Sequence, residues 1–324
     1  MTQQEILNSI GTKTWKIEHL LRLGLTRREV AELVGTNYGF VQNVFARIFP
    51  DRVRTRTARE IIEEAEWRLT DFDFNHTFGI EIEAFGLEKQ ELKEELNRAG
   101  IETEIEGYNH ITRTHWKIVS DSSISGDNSF EIVSPKLQGE DGLRQLKTVV
   151  LILRGLEAQV NRTCGLHIHF DASEFSAETW KNIYKNYAKL EKVIDSFMPE
   201  SRRENNNNFC RSVRVRNFER KIDEITNLQD AEAAVRRLHR ELTNSSRFYK
   251  VNAEAYFRHR SIEFRQHSGT INFKKISNWI LFLARFIEFS KQANASCETM
   301  ETMRCFLPDE IFNYYEARRL QLAS

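Results

Sequence analysis

The chain has little of what would place it in a membrane or an oxidising compartment. No apolar run approaches the ~18 residues that a membrane span needs, and the first residues, MTQQEILNSIG, lack an apolar signal core. Cysteine is scarce: Cys164, Cys210, Cys297 and Cys305 lie far apart with no CxxC pair. That spacing argues against a zinc knuckle or a disulfide framework and predicts free thiols. Net charge is absent as well, with 47 Lys and Arg balanced by 47 Asp and Glu over 324 residues. The expectation is a soluble cytoplasmic protein of one large domain plus a small one, or of two medium domains.

The charge that is there is unevenly spread. Residues 1–57 carry 9 basic against 5 acidic residues, residues 58–107 carry 5 against 15, and residues 202–265 carry 15 against 9. A basic head fits a nucleic-acid surface. The later blocks read either as a metal site facing an anion site or as solvated helix faces.

Residues 16–49, KIEHLLRLGLTRREVAELVGTNYGFVQNVFARIF, signal helix twice. After the stop at Gly24, Thr26 and Glu29 form a capping box, and Val30, Ala31, Leu33 and Val34 give an apolar face that ends at Gly35. A second helix runs from about Asn37, with Phe40, Val41, Val44, Phe45 and Ile48 at helical spacing. The stretch resembles the small helix-turn-helix units of resolvases, transposases and phage regulators. That analogy turns Thr36, Asn37, Tyr38, Gln42 and Asn43 to the major groove of DNA and Arg27, Arg28 and Arg47 to phosphates. The plainer alternative is a three-helix packing module. A boundary is expected near residue 57, with a charged helical linker over 58–73 before the main domain at 74–324.

Beyond it, one strand grammar recurs. In FGIEIEAFG, residues 78–86, Ile80 and Ile82 share one face and Glu81 and Glu83 the other. The two carboxylates then sit about 7 Å apart and repel unless something positive lies between them. CGLHIHFD, residues 164–171, sets His167 and His169 opposite Leu166, Ile168 and Phe170. SIEFRQH, residues 261–267, sets Glu263 and Arg265 opposite Ile262 and Phe264. WKIVSDSSISGDNSFEIVSP reads as a hairpin whose returning strand carries Glu131. Each pair alone also reads as a solvent-facing edge or a local salt bridge. Together they predict an antiparallel sheet with helices on its apolar face and a shared polar site, rich in hard oxygen donors suited to Mg²⁺ or Mn²⁺.

FGIEIEAFG, SDSSISGDNSFEIVSP, NRTCGLHIHFD and RSIEFRQHSGTINFKKISNWI resemble, in this order, the motifs of the amidoligase family, carboxylate–amine ligases related to glutamine synthetase. The resemblance covers roughly residues 75–290. It implies an α+β fold with a glutamine-synthetase-like antiparallel sheet, here preceded by an all-α helix-turn-helix domain, whose polar face holds ATP and Mg²⁺. It implies Glu81, Glu83, Glu131, His167 and Glu263 as metal ligands and His169 near the nucleotide phosphates. Arg265 would hold the phosphoryl group or the acyl phosphate, and Asp121 would be the base for the incoming amine. The run PESRRENNNNFCRSVRVR reads either as a flap closing over the nucleotide, with Arg203 and Arg211 as its cofactor-binding arginines, or as a polar surface loop. The turn His267–Thr270 either touches the nucleotide or only turns the chain.

The expected activity is ATP- and Mg²⁺-dependent amide formation on a peptide or amino-acid substrate, through an acyl phosphate. A homo-oligomer could complete the site, and DNA could engage the head. Two rivals stand beside it. One is a DNA-binding regulator that senses a nucleotide or amino acid without turnover, and the other a metal-dependent hydrolase or nuclease using the same carboxylates on water.

Overall fold

In the computed structural model, residues 1–49, 74–225 and 227–323 are described. The chain divides into two compact units, Met1–Thr57 and Ala58–Ser324. The boundary expected near residue 57 and the linker expected over 58–73 lie outside the described residues.

In the first unit each helix starts on a side-chain cap. Helices α1 (Gln3–Asn8), α2 (Lys13–Arg22) and α3 (Arg27–Val34) begin at Thr2, Thr12 and Thr26, and Asn37 caps α4 (Tyr38–Ile48). Thr26 and Glu29 form a full capping box, and Gly35 closes α3 at a φ of 62° that favours glycine. Ile17, Leu20, Val30, Val41 and Val44 meet in a small core of this unit's own. Arg27 and Gln42, read from the sequence as DNA-facing, are turned to each other: Arg27 is buried and its Nη1 donates to Gln42 Oε1 at 2.5 Å. Asn37 spends its side chain on the Phe40 amide. Arg47 and Asn43 stay exposed.

The second unit is built on a sheet of eight strands among the described residues. These are β1 (Thr77–Ala84), β2 (Thr103–Ile105), β3 (Trp116–Val119), β4 (Phe130–Val133), β5 (Leu137–Gln138), β6 (Gly165–Asp171), β7 (Val251–Asn252) and β8 (Ser261–Ser268). The order is β2-β3-β4-β1-β6-β8-β7, with β5 on the end of β1, and every pairing except β2–β3 is antiparallel. Helices complete the unit: α5 (Lys89–Arg98), α6 (Gly139–Gly155), α7 (Ala177–Ser196), α8 (Phe218–Ile225), α9 (Ala231–Thr243), α10 (Glu254–His259), α11 (Phe273–Gln292) and α12 (Asp309–Ala323). The fold is thus α+β, a mostly antiparallel sheet flanked by helices, as the alternation predicts. Phe78, Ile80, Ile82, Ile132, Leu166, Ile168 and Phe264 join one buried core with Leu146, Val150, Tyr187, Ile280 and Leu283 of the helices. No helix among the described residues is long and apolar enough to cross a membrane.

Alternation breaks at one place. Leu166 and Ile168 of β6 face His267 and Phe264 of β8, so β8 carries one residue more than its partner, a bulge. Without it His267 would share the face of Glu263 and Arg265. With it, Gln266 bonds Tyr187 and Asp195 of α7, and His267 packs against Trp279 of α11 with ring centroids 5.6 Å apart. The turn after β8 is tight because Gly269 lies on the Cys164 backbone, where a Cβ would meet Cys164 Cβ at 2.4 Å. All four cysteines are free thiols.

Candidate active site

Strand register assembles the polar face. Glu81 stands opposite His167, Glu83 opposite Glu131, and His169 opposite Glu263. His167 Nδ1 lies 2.9 Å from Glu81 Oε2, His167 Nε2 lies 3.5 Å from Glu83 Oε1, and His169 Nε2 lies 3.3 Å from Glu81 Oε1. Glu263 takes Asn252 Nδ2 at 2.6 Å and the Arg265 guanidinium. The Gly165 amide donates to Glu83 Oε2 at 2.6 Å. A Cβ at Gly165 would come within 2.7 Å of His167 Nε2, so the glycine opens the floor at this point.

These groups line a cavity of about 500 Å³. Oxygen and nitrogen atoms converge there in three overlapping sets: Glu81, Glu131 and His167; Glu81, His169 and Glu263; and Glu83, Asp121 and Glu131, each with its ligand atoms within 4.8 Å of one another. All the residues expected to bind metal are thereby brought together, and His169 and Asp121 join them. Asp121 sits in the hairpin loop, where its Oδ1 accepts the Ser123 amide at 2.7 Å.

The electrostatics are unbalanced. Burial pushes the Glu131 carboxyl well above its ordinary range, and Glu81, Glu83 and Asp121 push it further. Among the described residues the Glu131 side chain has no hydrogen bond and no ion pair of its own. Glu81 is held well below the usual range despite its burial, because His167 and His169 bond to it. Burial alone would lower His169, but Glu81 and Glu263 raise it. Glu263 stays low against its burial through Arg265, which its carboxylate neighbours raise in turn. A buried cluster whose carboxylates push one another's titration up is short of positive charge, and its oxygen-rich donor set fits a hard divalent cation.

The segment at 199–216 leans on this floor through its backbone, with the Phe209 carbonyl accepting from Arg265 Nε at 3.3 Å. Its two expected arginines do not reach the cavity wall. Arg203 Nε donates to the Met198 carbonyl, while Arg211 bonds Ser246 and Phe248 and lies over the Tyr249 ring. Arg202 lines the cavity instead. It is 2% exposed, its Nη2 holds the Cys164 carbonyl, and its Nε has no partner among the described residues. Only one of two adjacent arginines can point inward, and nothing in RR says which. His267 and Gly269 are not on the cavity wall, for the reasons of bulge and close approach given above.

Residues missed by the sequence reading also line the cavity: Lys117 on β3, Asn252 on β7, and Arg247. Lys117 could have been noticed, as the lone lysine in the apolar strand WKIV. Arg247 carries no pattern at all.

Residues 75–287 match a family described as "Putative amidoligase enzyme". A solved structure described as "Crystal structure of novel glutamine synthase homolog" is similar at 12% identity and a TM-score of 0.41, over 82% of this chain and 70% of that one. No curated protein matches the chain.

Proposed function

The chain belongs to the amidoligase family, and from that premise we propose that it is an ATP- and Mg²⁺-dependent carboxylate–amine ligase acting in the cytoplasm on a peptide or amino-acid substrate. The observation that carries this reading is the charge-starved floor, where Glu131 is forced up among Glu81, Glu83 and Asp121. Such a floor suits two or so divalent ions, and Mg²⁺ or Mn²⁺ matches its carboxylate-rich donors. Glu81, Glu83, Glu131, His167 and Glu263 would hold them. When bound, the ions supply neutralising charge to the phosphate oxygens.

A carboxylate does not react with an amine at neutral pH, so its oxygen first takes the terminal phosphoryl group of ATP and ADP leaves. The amine nitrogen then attacks the acyl carbon, the C–O bond to phosphate breaks, and the nitrogen loses a proton. In this scheme Arg265 faces the charge that grows on the transferred group, since its guanidinium lies on the floor fixed by Glu263 and the Phe209 carbonyl. Arg202, which lines the cavity, takes the phosphate contact first expected of Arg203 and Arg211. His169, whose Nδ1 meets Ser261 Oγ while Nε2 has no hydrogen-bond partner among the described residues, orients phosphate oxygens, and Asp121 accepts the proton of the amine.

The basic, capped helices at the N-terminus form, on this reading, a separate helix-turn-helix head (1–57) that brings the ligase to DNA or to a protein partner. A neighbouring subunit could complete the cavity near Asp121. The test is phosphate release from ATP and Mg²⁺ over a panel of acid–amine pairs, with Glu83→Gln as control. Release that needs one particular pair and vanishes in the variant is the expected result. Tight ATP binding without turnover would instead favour a regulator, and DNA cleavage without ATP would sink the ligase reading.

A further inference from the structure

The segment joining β2 to β3, residues 106–115, crosses the polar face. Its roots lie at one edge of the sheet, because β2 and β3 come first in the strand order, and the residues it touches flank β7 and β8 at the other. Lys117 holds it at the near side: buried, with Nζ donating to the Asn109 carbonyl (3.1 Å), Asn109 Oδ1 (2.9 Å) and the Ile111 carbonyl (2.9 Å). Glu106 braces the segment by accepting from Arg113 and lying 3.1 Å from His115 Nε2. At the far side Tyr108 OH accepts from Arg247 Nη2 at 3.2 Å, His110 Nε2 lies 3.4 Å from Arg247 Nη1, and Thr112 Oγ1 lies 3.0 Å from His259 Nδ1. The segment therefore roofs the cavity.

Roof and floor carry opposite imbalances. On the floor, carboxylates exceed cations. On the roof, Arg247 is half-buried and touches only neutral groups among the described residues: Tyr108, His110 and the Phe248 ring, 5.1 Å away. Burial, and then Arg247 itself, lower His110, so the imidazole stays neutral beside the guanidinium. The neighbouring Arg258 is already answered by Glu254 at 2.8 Å. Arg247 is thus a planar fork facing a cavity without a counter-charge, a geometry that takes a carboxylate. Nucleotide phosphates are drawn to the floor, where the metal donors, Arg265 and Arg202 gather. What reaches the roof is the part of the substrate remote from its reacting end.

We propose that the roof is a recognition subsite for a second carboxylate of the carboxylate substrate, anchored by Arg247. The ligase then takes dicarboxylic compounds in preference to monocarboxylic ones. This rests on the ligase reading above and names its substrate class.

The test is calorimetric binding to the full chain, in Mg²⁺, of succinate, glutarate and adipate against butyrate and pentanoate. One dicarboxylate length should bind at least ~10-fold more tightly than the monocarboxylates, as a charge-assisted pair allows. The preference should fall below about threefold in Arg247→Gln and be partly kept in Arg247→Lys, whose single point charge replaces the fork. No preference in the parent protein, or one that survives Arg247→Gln in a variant folded by circular dichroism, overturns the proposal. So does adenosine binding that is lost in Arg247→Gln without any dicarboxylate preference, which would make the roof a base site. ATP·Mg²⁺ binding and its loss in Glu83→Gln, measured on the same preparations, separate the two readings. If ATP binds and the preference is missing, the subsite fails alone; if neither is seen, the ligase reading fails with it.

Discussion

Two clusters of buried carboxylates lie close together in the second unit, and they are opposites. Behind the sheet, Lys250 is fully buried and its Nζ meets Glu191 at 2.7 Å and Asp195 at 2.6 Å. The remaining carboxylate oxygens are used as well: Glu191 Oε2 accepts the Val213 amide and Asp195 Oδ2 the Glu204 amide, while Gln266 joins Asp195 to the Arg202 carbonyl. Each acceptor has a donor, none of Glu191, Asp195 and Lys250 lines the cavity of the polar face, and the product is a loop pinned to α7. On the polar face, the Glu131 side chain has no donor among the described residues and shares a cavity of about 500 Å³ with Glu83 and Asp121. A closed network is structure; a network short of positive charge beside a cavity is waiting for a ligand.

The largest expected effect breaks the closed network. Lys250→Met leaves Glu191 and Asp195 buried without a counter-charge, which should cost ~3–5 kcal/mol of stability in urea titration. A loss under ~1 kcal/mol would mean the network is not the clasp described here. The same kind of removal on the polar face should cost function and spare the fold. Glu83→Gln is expected to lower ATP-dependent phosphate release by at least ~100-fold, with an unchanged unfolding midpoint in metal-free buffer.

The helix side should also answer to pH. His267 is pushed down to about 3 from 6.5 by burial, aided by Arg318, Arg202 and Lys275 against the bond to the Ser268 carbonyl. Between those values the unfolded chain binds a proton that the folded one refuses. Stability is therefore full above about 6.5 and falls as the pH drops, at ~1.4 kcal/mol per pH unit, or ~2 kcal/mol by pH 5. His267→Gln should remove that part of the slope; parallel curves for both proteins would contradict it.

The smallest effect has the opposite sign. Glu131→Gln should raise metal-free stability slightly, since it removes a buried carboxyl crowded by Glu81, Glu83 and Asp121, and should reduce the stabilisation that Mg²⁺ gives. A destabilised variant would show that Glu131 has a partner after all.

The alternation in FGIEIEAFG, CGLHIHFD and SIEFRQH was enough to put Glu81, Glu83, His167, His169, Glu263 and Arg265 on one face, because a strand's side chains obey a period of two regardless of what surrounds them. The capping box at Thr26 and Glu29 and the stop at Gly35 were legible for the same reason, each being made within a few residues of chain. Arg203 and Arg211 sit in a loop, where no period operates, and the arginine that lines the cavity is Arg202, which finds the Cys164 carbonyl.

What the sequence determined by itself, then, was everything fixed by local geometry: the faces of the strands, the helix starts, and the residue types from which a metal-and-phosphate site is made. Tertiary structure decided the rest. Register set Glu83 against Glu131, a bulge took His267 out of the site, Lys250 found its carboxylates, and residues 106–115 came to span the polar face of the sheet that forms the floor. Those outcomes depend on groups up to 147 residues apart in the chain, whose meeting is settled by the packing of the whole core and leaves no mark on the residues that flank them.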